Sequence, residues 1–221
     1  MKIDRRRFIG ASLAATVAAC TTRSAAPPQV AAPAVPIAPP VSPVPAEVVR
    51  AELPPLVAEA LASLDAHSRQ VVHRDRIGVV DFAAHSSEPR FHLVDVAGGR
   101  IERSWLVAHG SGSDPAHTGL LHRFSNEPGS NATSRGAYLT ANCYHGKYGR
   151  SQRLIGLDAD NDLALDRAIV IHGAPYVDPS LIAAQGRIGR SQGCFAFELD
   201  EVANVMDLLG EGRMIYAGKL A

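Results

Sequence analysis

The chain has 221 residues, enough for one globular domain with a sizeable core plus non-globular ends. Its 22 basic and 22 acidic side chains balance, so electrostatics gives no reason to expect a nucleic-acid partner. A neutral, fairly polar domain suits a small or peptide-like substrate.

Asp4-Arg5-Arg6-Arg7-Phe8-Ile9-Gly10 precedes a modestly apolar run, Ala11 to Ala19, too short to span a bilayer. The pattern is similar to a twin-arginine export signal. Val17-Ala18-Ala19-Cys20 resembles a lipobox, in which Cys20 is lipidated and begins the mature protein; plain cleavage near the same place is the alternative. Residues 1–20 are therefore expected to be a lipoprotein-type signal that exports the protein to the periplasm with a lipid anchor. Thr21 carries no aspartate-type retention signal, so by likeness to other lipoproteins the outer membrane is expected. Residues 21–55 are rich in Ala, Pro and Val and nearly uncharged before Glu47. Repeated prolines forbid regular helix and sheet pairing, which makes this a semi-extended linker with a reach on the order of 100 Å at roughly 3 Å per residue.

The remainder, 56–221, reads as one domain. Leu56, Ala60, Leu61 and Leu64 share a helical face behind Pro54-Pro55, which predicts a short amphipathic helix. Ile77 to Ala83 and Phe91 to Val96 are rich in β-branched and aromatic residues and predict strands, and Gly98-Gly99 turns into a third, Ile101 to His109. Three adjacent antiparallel strands are the simplest arrangement. From Gly110 to Arg135 the chain is dominated by Gly, Ser, Asn, Asp and Pro, a loop long enough to be functional. His109, His117, His122, His145 and Cys143 match none of the compact metal-ligand spacings, so no metal is expected. Gly136 to Thr140 and Ser151 to Leu157 predict strands around a Tyr144–Gly149 loop. Asp158 to Asp162 has the carboxylate density of a calcium loop without its Gly and closing Glu, and is read as a solvated turn. Ala168 to Ile171 predicts a buried strand that delivers His172 at its end. Beyond Cys194, Asp200 is expected to cap a helix bearing Val202, Val205, Met206 and Leu209 and ended by Gly210, and Met214 to Ala217 to form the last strand.

The richest stretch is Ile169 to Cys194, IVIHGAPYVDPSLIAAQGRIGRSQGC. A His at a strand end, followed by a Cys behind a glycine-rich loop with Gly186, Gly189 and Gly193, is the raw material of a thiol nucleophile and its base. His172, Gly173, Ser191, Gly193 and Cys194 resemble the pattern of the L,D-transpeptidase catalytic domain of bacterial cell-wall enzymes. LVAHGSGSD at 106–114, RFSNEPGSNATSRGAYLT at 123–140 and GLDADNDLALDRAIVIHGAPYV at 156–177 fit its murein branch in the right order. Two positions depart from the broad pattern: Gln192 stands where a His is usual, and Phe195-Ala196-Phe197 follows Cys194 without an Arg.

The resemblance implies a mostly β domain with a few helices, an α+β sandwich-like L,D-transpeptidase fold. It implies an acyltransferase with no cofactor, acting on peptidoglycan stem peptides with a transpeptidase or carboxypeptidase outcome. Cys194 is then the nucleophile, His172 its base, and Gly173 the residue whose carbonyl orients the imidazole. Backbone N–H groups of Cys194 and the Arg190–Gly193 loop are candidates for the oxyanion. Arg187 and Arg190 are candidate clamps for substrate carboxylates, with Ser191, Gln192 and Gly193 beside them, and the 110–135 loop is a candidate wall of the substrate site. Cys194 is expected free, Cys143 a small core or loop residue, and the protein a monomer. A sortase-like Cys–His acyl transferase and a non-catalytic wall-binding lipoprotein are the alternatives.

Overall fold

A computed structural model describes residues 54–219, so the expectations for the signal, for Cys20 and for nearly all of the linker lie outside the described residues. Pro55 opens helix α1 (Pro55–Ala66), a position where a missing N–H is harmless because the first amides of a helix have no acceptor within it. Leu56, Val57, Ala60, Leu61 and Leu64 form its buried stripe. That stripe packs on Ile77, Val79, Val94, Ala137, Met214 and Tyr216, the outer face of a sheet.

The strands are β1 (Arg76–Asp81), β2 (Phe91–Asp95), β3 (Arg100–Trp105), β4 (Gly136–Gly146), β5 (Gly149–Gly156), β6 (Val170–Gly173), β7 (Phe195–Phe197) and β8 (Met214–Gly218). They form one eight-stranded sheet in the order β3-β2-β1-β8-β4-β5-β6-β7. β1, β2 and β3 make the expected antiparallel meander. β8, the last strand in the chain, lies in the middle of the sheet, parallel to β1 and antiparallel to β4. Its five residues are all buried, and a strand apolar on both faces belongs where both faces are covered. Charged β3 takes the edge, where charge discourages the addition of another strand.

The sheet folds over on itself: Ala108, just past β3, bridges to Ala196 in β7 at the opposite edge. The inner faces then enclose one core, in which Phe91 meets Phe197 edge-on at 4.9 Å between ring centroids and Phe195 meets Tyr138 at 5.3 Å. Helix α3 (Val202–Leu209) completes that core with Val205, Met206 and Leu209. The domain is mostly β with three helices, as expected; among the described residues no helix is long and apolar enough to cross a membrane.

Several local expectations are corrected. Glu201, not Asp200, is the N-cap of α3, and its carboxylate accepts a hydrogen bond from Trp105 Nε1 at 2.8 Å instead of capping the helix. Tyr144, His145 and Gly146 belong to β4, so the β4–β5 hairpin turns on Lys147 and Tyr148 alone, with Gly149 at φ 77°. The Asp158–Asp162 turn is built into the fold: buried Asn161 donates to Ala137 O at 2.8 Å, and Asp158 Oδ2 accepts from Ala137 N at 2.6 Å. Cys143 is an exposed strand residue, neither core nor loop. Ala168 precedes β6 in a left-handed conformation, φ 53°. Helix α2 (Pro179–Gln185) has no sequence expectation behind it; its seven residues include none that is buried, so no apolar stripe announces it.

Candidate active site

Strand register gathers the candidate reacting groups on one face. Tyr144 lies opposite Ser151 and Ser151 opposite His172, so the three side chains point the same way. His172 is registered on Ala196 of parallel β7, and Cys194, two residues before Ala196, returns to that side. Cys143, opposite Gln152 and through it Ile171, faces away, consistent with both cysteines being free thiols. A cavity of about 750 Å³ opens here. The hairpin turn Lys147-Tyr148, the Pro128-Gly129-Asn131 stretch and Arg190-Ser191-Gln192 surround it, with Cys194 and His172 in its wall.

His172 is buried, and its Nδ1 lies 2.9 Å from the carbonyl oxygen of Gly173. A carbonyl only accepts, so Nδ1 carries the proton and Nε2 keeps the lone pair a base needs. Gly173 also suits the crowding there, since a Cβ would stand 3.0 Å from Val202 Cγ1 and 3.1 Å from Leu199 Cδ2. The Tyr148 ring stacks on the imidazole at 4.3 Å and 20°, and the Lys147 ammonium lies 4.7 Å from the Tyr148 centroid.

The loop before β7 holds the thiol through its own backbone. Ser191 Oγ donates to Cys194 O at 2.7 Å and accepts from Gly193 N at 3.1 Å. Ser191 N in turn donates to His109 O, and Ser111 N to Ser191 O. Gly193 sits at φ 113°, where a Cβ would meet Ala132 O at 2.7 Å, so only glycine fits. These bonds narrow the oxyanion candidates: Ser191 and Gly193 N–H are already used, whereas the Gln192 N–H has no partner among the described residues and the Cys194 N–H leans on its own thiol. Cys194 Sγ points at Ala168 O, 3.5 Å away, and the left-handed turn at Ala168 precedes the strand that carries His172.

Burial pushes the Cys194 thiol up, against the pull of the Val170 backbone, Arg167 and Lys147. Burial likewise pushes the His172 imidazole down; the Gly173 carbonyl opposes this and Lys147 adds to it. Both shifts favour a resting pair of neutral thiol and neutral imidazole over a preformed thiolate–imidazolium pair.

The other expected site residues divide. Arg190 lines the cavity, with Nη1 donating to Asp114 O and, at 3.3 Å, to Pro115 O. Gln192 is exposed at the cavity, and Ser191 serves the loop's internal bonds. Arg187 is not in the cavity wall; its Nη1 turns back to Gln185 O at 3.0 Å. Of the histidines weighed as metal ligands, His109 meets the Arg90 guanidinium, His117 the Ile188 carbonyl and His122 the Thr118 hydroxyl, while His109 and His122 also approach Asp114 at 3.4 and 3.8 Å. Among the described residues no group of three or more His, Cys, Asp or Glu is arranged for a metal ion.

Sequence reasoning passed over Lys147, Tyr148, Asp166, Arg167 and Tyr176, all in the cavity wall. Arg167 was within reach, because it lies in the quoted 156–177 segment five residues before His172. Tyr148 carried no such signal, since its distance from His172 in the chain says nothing until the hairpin is paired.

The family model described as "L,D-transpeptidase catalytic domain" matches residues 52–217. Similar solved structures include an L,D-transpeptidase from Mycobacterium smegmatis, at 16% identity and TM-score 0.41 over 65% of this chain and 58% of that one. L,D-transpeptidase 1 of Mycobacterium tuberculosis is similar at 15% identity and TM-score 0.36, over 64% of this chain and 60% of that one. An L,D-transpeptidase from Xylanimonas cellulosilytica is similar at 16% identity and TM-score 0.39, over 72% and 69%. The chain thus spans less than two thirds of the length of the two mycobacterial structures. No curated protein matches.

Proposed function

Because the chain belongs to the L,D-transpeptidase catalytic-domain family, a family of enzymes, we propose that it is a cysteine acyltransferase acting on peptidoglycan stem peptides. The observation that carries this reading is a buried imidazole with its Nε2 lone pair free, facing the same cavity as an unbridged thiol. His172 Nε2 takes the proton from Cys194 Sγ, and the sulfur attacks an amide carbonyl carbon of the donor peptide. The oxygen of the tetrahedral intermediate becomes negative beside the N–H groups of Cys194 and Gln192. On collapse the C–N bond breaks, the leaving amine takes the proton from His172, and a thioester to Cys194 remains. An acceptor amine or water then attacks the thioester, gives its proton to His172, and returns the thiol. Arg190 at the cavity wall supports a substrate bearing free carboxylates. The export and lipid attachment expected of residues 1–20 belong to the same reading, since they would bring the domain to the wall.

The test is to incubate the full chain with purified muropeptides and identify products by mass, alongside Cys194→Ala. Cross-linked or trimmed peptides that vanish in the variant support the reading and separate transpeptidation from hydrolysis. Wall binding without turnover or a Cys194 adduct would instead favour a non-catalytic binder.

A further inference from the structure

Arg167, on the turn before β6, donates to Ser125 O at 2.8 Å, Ser134 Oγ at 2.6 Å, Ser130 Oγ at 3.3 Å and Ala132 O at 2.5 Å. All four acceptors are neutral, so the guanidinium is held rigidly without a direct carboxylate partner, and Glu127 acts on it only through its charge. It is half-buried and shares the cavity wall with Cys194. Two short paths of contact tie it to the nucleophile. Its neighbour Ala168 offers the carbonyl on which Sγ rests, and its acceptor Ala132 O packs against Gly193, whose missing Cβ would stand 2.7 Å away.

We propose that Arg167 is the fixed positive charge that steadies the Cys194 thiolate as the thiol gives up its proton. The proton passes from Sγ to His172 Nε2, the electron pair stays on sulfur, and Arg167 keeps all its protons. Other groups facing the thiol are less suited. Lys147 and Tyr148 come from the hairpin turn, but Lys147 also faces the imidazole and there opposes the imidazolium that proton transfer creates. Arg190, on the nucleophile's own loop, is drawn toward Asp114 O. Tyr176 beyond β6 is a neutral phenol at working pH, its ionisation pushed up by burial, and Asp166 has the wrong sign. No cation follows Cys194, where the chain continues Phe195-Ala196-Phe197. The role also gives the 125–134 segment a purpose beyond lining the cavity, because four of its oxygens aim Arg167.

This inference rests on the reading of Cys194 as the nucleophile, but its test needs no substrate. In full-length protein carrying Cys143→Ala, the rate of Cys194 alkylation by iodoacetamide is followed against pH by mass analysis of the Cys194 peptide. Arg167→Gln is expected to raise the apparent thiol pKa by about one unit, slowing alkylation near neutral pH about tenfold. Arg167→Lys, which keeps the charge, is expected to titrate near the parent. A parental profile in Arg167→Gln, or equal shifts in both variants, would overturn the proposal. If Arg167→Gln fails to fold, Arg167→Lys decides: a parent-like titration supports the charge, and a strongly raised one shows that only the loop anchoring mattered. A shifted thiol without muropeptide turnover would defeat the proposed function and leave this inference standing.

Discussion

Cys194 and His172 each sit where burial disfavours the charged form, and the chemistry follows from that. Cys194→Ala should abolish both muropeptide turnover and the mass increment left by a carbapenem, while the thermal midpoint stays near the parent, because the thiol gives up only a long 3.5 Å contact to Ala168 O and weak backbone contacts such as that with Val170. Acylation requires a neutral imidazole, and burial has lowered the His172 pKa, so the acid limb of the acylation rate should lie below the ordinary histidine value of about 6.5. Tyr148 contributes to that burial by stacking on the ring. Tyr148→Ala should move the acid limb upward, and Tyr148→Phe should leave it in place because the stack survives. An unchanged limb in Tyr148→Ala would show that the imidazole is desolvated by the strands alone.

At the scale of elements, the loop before β7 and helix α1 should respond to mutation in opposite ways. Gly193→Ala forces a Cβ to 2.7 Å from Ala132 O at φ 113°, a strain of about 1–3 kcal/mol concentrated beside the nucleophile. It should cut acylation far more than it lowers the thermal midpoint, as parallel measurement of both would reveal. Leu61→Ala removes a buried side chain from the α1 stripe and should cost about 2–5 kcal/mol of stability. Its folded fraction should alkylate at the parental rate, because α1 packs on the sheet's outer face, away from the cavity. The helix was legible because its apolar residues recur at helical spacing within one segment. The tight hairpin was not, since Tyr144 and His145 look like loop residues until their partners on β5 are known.

Across the whole domain, a buried polar chain braces the Cys194 loop from behind. Arg90 Nη2 donates to His109 Nδ1 at 2.7 Å, and His109 Nε2 stands 3.4 Å from Asp114 Oδ2. Asp114 accepts from Thr118 N, Thr118 Oγ1 and Gly119 N, while the His109 carbonyl holds Ser191. Burial, followed by the neighbouring Arg90 charge, pushes the His109 pKa down to about 3. The unfolded chain takes up that proton near pH 6.5 and the folded chain does not, so stability is fully present above about 6.5 and falls as pH drops toward about 3. His92 and His172, also lowered by burial, act in the same direction. Burial alone would raise Asp114, but the donors around it win and bring it to about 2, so its contribution is lost only at lower pH. Denaturant melts from pH 7.5 to 4 should show this decline. His109→Asn should flatten it, and an equally steep decline in the variant would place the acid sensitivity elsewhere.

Local chemistry in the chain was enough to single out Cys194 and His172 as a candidate thiol and base, while the orienting carbonyl of Gly173 was expected from the family resemblance alone. A His ending a β-branched run and a Cys behind three glycines keep their meaning wherever the strands go. The same holds for α1 and the first three strands, each marked by residue types within one short segment, whereas the α+β class was expected from the resemblance. What the tertiary structure decided is everything that depends on which strands are neighbours. Pairing of β4 with β5 and β5 with β6 brings Tyr148 onto His172, and the closure at Ala108 and Ala196 joins the two edges of the sheet. Docking of the 125–134 loop on Arg167 converts an ordinary surface arginine into a rigid charge in the cavity wall. These contacts join residues distant in the chain, and no local spacing encodes them, because their energy comes from burial and hydrogen bonding available only after the sheet has formed.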